Sequence, residues 1–121
     1  MRVEKSLTID GKQVRFKSTG GTLRRYRNQF GRDFFADVMK MFPLMQAMEK
    51  GIDTNNLDYQ SLQSLDFEVF ENIMWTLAKT ADDSIPDPDT WFDSFDTFPV
   101  MDILPEVQGL ISKSLEGVKK K

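Results

Sequence analysis

Between residues 20 and 35 the chain reads GGTLRRYRNQFGRDFF, which sets Arg24, Arg25, Arg27 and Arg32 among Tyr26, Phe30, Phe34 and Phe35. Arginine beside aromatic rings can hold phosphates and stack on bases, and it can equally meet carboxylates on a protein. A second cluster is acidic, with seven aspartates between Asp82 and Asp102. Such a run suggests calcium, but an EF-hand loop needs Gly at its sixth position and Glu at its twelfth. No register here supplies both. Helix caps and solvated faces account for these aspartates better. The chain holds no Cys and no His. Those absences exclude disulfides, thiolate or imidazole metal sites, and Ser-His-Asp or Cys nucleophile chemistry. Gly20-Gly21 is followed by Thr22 and Leu23, not by the Lys-Ser/Thr of a phosphate loop. The expectation is a protein that is not an enzyme and takes no cofactor or metal.

The net charge of −3 conceals a segregation. Residues 1–32 carry nine Lys or Arg against Glu4 and Asp10, a balance of +7. Residues 33–116 carry four Lys against seventeen Asp or Glu, a balance of −13, and a basic tail follows. A nucleic-acid surface needs a persistent basic face. Arg24, Arg25 and Arg27 project at different angles from a helix, and everything downstream repels phosphate. They are therefore expected to meet the acidic helices of the same fold, or of a neighbouring copy, rather than a nucleic acid.

These side chains need a scaffold, and 121 residues suffice for one domain with its own core. Alternation at Val3, Leu7 and Ile9, then at Val14 and Phe16, predicts two strands, with Asp10-Gly11 as a two-residue type I′ turn. Thr22 is a candidate cap for a helix through Phe30 with Leu23, Tyr26 and Phe30 on one side. A long amphipathic stretch follows from Arg32 to Lys50. Its core row is Phe34, Val38, Met41, Met45 and Met48, and Pro43 is expected to kink or restart it.

Residues 53–64, DTNNLDYQSLQS, read as polar loop with room for a short helical turn, and Ser64 as a cap for a helix from about Asp66 to Ala81. The expected buried face of that helix is Phe67, Phe70, Ile73, Met74, Leu77 and Ala81, with Trp75 near its edge. Asp87 as N-cap and Pro88 at the first helical position predict a short acidic helix burying Trp91, Phe92 and Phe95. A last helix lies within Val100 to Leu115, with Pro105 kinking or restarting it and a frayed basic tail over 117–121. The fold class expected is mainly α: a compact domain of four to five helices (22–116) with an N-terminal β-hairpin (1–19). No segment is apolar enough to span a bilayer, and MRVEKSLTID lacks a signal peptide's apolar region.

One feature of the long stretch is left over. Phe35, Met39 and Phe42 form a second apolar row about 100° around the helix from the core row. A single packing contact does not need so wide an apolar arc. Methionine makes adaptable apolar surfaces, and exposed apolar patches mark interaction sites. Phe35, Met39 and Phe42, together with Arg24, Arg25 and Arg27, are therefore the candidate partner-binding residues.

The segments LTIDGKQVRFKSTGGTLRRYRNQFGRDFFADVMKM, FENIMWTLAKTADDSIPDPDTWFDSFD and ILPEVQGLISKSL together resemble the tail assembly chaperones of long-tailed phages and prophages of Gram-positive bacteria. The likeness rests on the Asp10-Gly11 hairpin, RYR..FGRD, W.LAK.AD and TWFDSFD, in order along nearly the whole chain. None of these is a catalytic motif. The resemblance implies a helper in the host cytoplasm, absent from the finished virion, that binds the aggregation-prone tape measure protein and brings tail tube protein to it. Self-association is expected as well; nucleic acid and membrane are not expected partners. Two alternatives stand beside it: a structural tail or connector component of the virion, and a nucleic-acid binder using the basic hairpin.

Overall fold

Asp10 and Gly11 take positive φ angles of 54° and 76°, the geometry of a type I′ turn. They join strands β1 (Glu4–Ile9) and β2 (Lys12–Lys17) in an antiparallel hairpin that opposes Leu7 to Val14 and Lys5 to Phe16. The computed structural model describes residues 4–49 and 67–119. Among them, five helices follow the hairpin: α1 (Thr22–Phe30), α2 (Phe34–Glu49), α3 (Phe67–Ala81), α4 (Pro88–Asp93) and α5 (Val100–Lys119). The protein is mainly helical with an N-terminal hairpin, as the periodicities predict.

A two-stranded sheet is marginal in water and needs its apolar face covered. Here Ile9, Val14 and Phe16 are buried, with β2 lying against α3 and β1 against α5. The hairpin face that carries them also carries Lys5 and Lys12, because directly opposed residues share a face. Both lysines sit at its rim. Lys5 pairs with Glu106 of α5 at 3.2 Å, and Lys12 Nζ donates to the Ser94 carbonyl while lying 5.0 Å from the Phe95 ring centroid. From β2, on the register of the opposite face, Arg15 Nη2 donates to the Ala81 carbonyl at 2.9 Å at the end of α3.

Helix α3 is the centre of the packing. Six consecutive residues, Ile73 to Ala78, are buried, and β2, α1, α2 and α5 all pack on the helix. Trp75, expected at the edge, is buried and donates its indole N–H to the Pro86 carbonyl at 2.9 Å. Phe67 departs from its expected burial and is 45% exposed. It opens the helix, where burial begins only at Val69 and Phe70, and it lies edge-on to Phe70.

The caps differ from expectation in one place. Gly21, not Thr22, is the N-cap of α1, and the buried Thr22 hydroxyl instead accepts the Thr19 N–H at 3.0 Å. Asp87 caps α4 as predicted, accepting the Thr90 N–H at 3.2 Å with Pro88 next in line. Trp91 and Phe95 are buried, Phe92 is half-buried, and Phe98 completes an edge-to-face cluster with all three. Neither internal proline ends its helix. Helix α2 runs through Pro43, and α5 runs through Pro105 to Lys119, past the Leu115 limit of the apolar pattern. The 53–64 loop and the Ser64 cap lie outside the described residues, as do Val3 and the side chains of Phe42, Met45 and Met48.

Candidate partner-binding site

The segment RYRNQFGRD builds the corner between α1 and α2. Gly31 adopts φ 67°, a left-handed conformation that favours glycine, and its N–H closes α1 on the Arg27 carbonyl at 2.8 Å. Asp33 then starts α2 by accepting the Ala36 N–H at 2.9 Å. Inside the corner Asp37, 3% exposed, accepts the Tyr26 hydroxyl at 2.6 Å and the Arg32 guanidinium at 2.7 and 2.8 Å. Burial works to raise the Asp37 pKa, but the bonds from Arg32 and Tyr26 outweigh it and hold the carboxyl below its ordinary value. Burial, and then the bond to Asp37, drives the Tyr26 hydroxyl upward. Sequence reasoning missed this network. Its signal is a carboxylate in register with the core row, since Asp37 falls between Phe34 and Met41 at helical spacing.

That corner fixes which side of α2 faces out. Phe34, Val38 and Met41 are each 1% exposed, so the described part of the core row is buried. Phe35 is 36% exposed and Met39 46% exposed, on the row predicted to lie off the core. The Phe42 side chain, third of that row, is outside the described residues. With Phe67 these two are the large apolar side chains left exposed among the described residues.

The arginines divide. Arg27 reaches Asp33 at 4.0 Å, at the limit of an ion pair. Arg24 is exposed and Arg25 half-buried, and neither has a carboxylate within ion-pair distance among the described residues. The Arg25 Nε is buried without an acceptor among them. Both arginines line an open cleft of about 440 Å³ between the start of α1 and the end of α3, walled by Asn28, Trp75 and Lys79. A second cleft, about 410 Å³, continues from Gln29 between the end of α1 and the start of α3, closed by the start of α4; it carries Glu68, Asp87 and Asp89 beside Arg32, whose guanidinium is bonded to Asp37. The two helices therefore run antiparallel, and their groove is basic at one end and acidic at the other.

The remaining motif residues are structural ties. Lys79 donates to the Asp83 and Ile85 carbonyls at 2.6 and 2.8 Å, and Asp82 accepts the Ser84 hydroxyl and N–H. Asp10 accepts the Asp96 N–H at 2.9 Å, joining the hairpin turn to the segment after α4. Among the described residues no helix is long and apolar enough to cross a membrane, and no group of three acidic side chains is placed to hold a metal ion. No protein-family model, curated protein or solved structure matches the chain.

Proposed function

We propose that the chain is a tail assembly chaperone of a long-tailed phage or prophage, which binds tape measure protein and keeps it soluble before tail tube protein assembles around it. The observation that carries this reading is the outward row of α2. Phe35 and Met39 stay exposed on a helix that buries Phe34, Val38 and Met41 in the core. An apolar face retained on a small protein without such a need in its own fold is a surface for a partner. A flexible methionine there suits a client with many apolar segments. The segments quoted for the resemblance support the same reading, because RYR..FGRD, W.LAK.AD and TWFDSFD serve as corner, tie and aromatic cluster in this fold.

The nucleic-acid reading is weaker. Lys5, Lys12 and Arg15 of the hairpin are engaged with Glu106, Ser94, Glu4 and Ala81 of this same chain. The test of the chaperone reading is co-expression with tape measure protein. Wild type is expected to raise its soluble fraction and to co-purify with it, and Met39→Glu to lose both while melting normally. Recovery of the chain from purified virions would overturn the reading in favour of a structural tail component.

A further inference from the structure

The groove between α1 and α3 carries unsatisfied charge at both ends. At its basic end Arg24 and Arg25 have no acidic partner among the described residues, and Arg25 Nε is buried without an acceptor. At its acidic end Asp89 is exposed and takes part in no ion pair among them. Outside the cleft lining, one turn along α3 from Glu68, Glu71 is half-buried. Its pKa is raised by burial and then by the charge of Glu68.

We propose that this groove is a self-association surface, which meets the same groove of a second copy about a two-fold axis near Gln29. Charge complementarity under rotation favours this arrangement. Gln29 lines both clefts and so lies between the two ends. A two-fold axis there lays the Arg24–Arg25 end of one copy on the Asp89 end of the other, twice over. An isologous interface of this kind satisfies all four ends at once. An acidic peptide would answer the basic end alone and leave the acidic end exposed. The surface is separate from Phe35 and Met39, so the inference stands whether or not the chaperone reading does.

Sedimentation of the full chain tests it. At low salt a monomer–dimer equilibrium is expected, weakening as salt screens the charges over about 10 Å at 0.1 M. Arg24→Glu and Asp89→Lys change exposed side chains. Each alone is expected to weaken dimerisation about tenfold or more, a tenfold change being about 1.4 kcal/mol. Mixed in equal amounts, the two variants restore opposite charges across both contacts and form a heterodimer at least as tight as wild type. Arg24→Gln and Asp89→Asn, which only remove charge, weaken association in the same direction. A wild-type chain that stays monomeric at low salt overturns the proposal. So does growth past the dimer, or a mixture that associates no better than either variant alone.

Discussion

The Tyr26 hydroxyl donates to Asp37 Oδ2 over 2.6 Å inside the α1–α2 corner, joining a residue of one helix to a carboxylate on the core side of the next. Tyr26→Phe removes that donor but leaves the Arg32 bonds in place, so the expected cost is about 1 kcal/mol. Asp37→Ala strands both donors and should cost about 2 kcal/mol or more in urea unfolding.

The same pair sets the pH limits. The folded pKa of Asp37 is depressed, so its contribution is present above the ordinary value of 3.8 and is lost as pH falls through the folded value. The folded pKa of Tyr26 is raised, so its contribution is full below 10.0 and declines as pH rises past that point, where only the unfolded tyrosine ionises. Stability should therefore fall below about pH 4 and again above about pH 10. Tyr26→Phe should abolish the alkaline contribution and, because the Tyr26 bond also helps to lower the Asp37 pKa, reduce the acid limb in part, which melts across the pH range would reveal.

Gly31→Ala should destabilise by about 1–2 kcal/mol through backbone strain alone, because a Cβ there meets nothing within 4 Å while φ stays at 67°. Gly31→Asn should cost less, since Asn tolerates this region better. Equal losses for the two would argue against the strain account.

Two methionines two residues apart should behave oppositely. Met39→Glu changes a side chain that is 46% exposed and should move stability by no more than about 0.5 kcal/mol. Met41→Ala empties a site 1% exposed and should cost about 2–5 kcal/mol. A collapse of the Met39→Glu melt would place that row in the core and remove the basis of the proposed partner surface.

Because Lys5, Lys12 and Arg15 of the hairpin are held within the chain, the protein should not shift DNA or RNA at physiological ionic strength. Micromolar binding that weakens steeply with salt would show that Arg24, Arg25 and Arg27 serve phosphate instead.

The elements legible in the sequence are those specified locally. Asp10-Gly11 dictates its own turn, Asp87-Pro88 its own helix start, and the Phe34–Val38–Met41 row its own buried side. What was not legible depends on neighbours. Phe67 keeps perfect helical spacing yet opens its helix before the packed stretch begins. Trp75 is buried because α3 lies in the middle of the fold, which no single helix pattern reveals. Asp37 reads as an ordinary surface carboxylate until Tyr26 and Arg32, 11 and 5 residues away, are seen to close over it. The charged groove escaped for the same reason, since it is made by α1, α3 and the start of α4, whose sequences lie far apart.

The central position of α3 also governs the order in which the chain can fold as it is made. The hairpin is synthesised early, but the helix that covers Phe16 ends at Ala81, 65 residues later. At translation speeds of about 5–20 residues per second, that is a wait of roughly 3–13 s. Throughout it, Ile9, Val14 and Phe16 must remain unfolded or be shielded by another molecule. A ribosome-bound fragment ending before α3 should accordingly be fully protease-sensitive, with protection arriving in one step once α3 has cleared the exit tunnel.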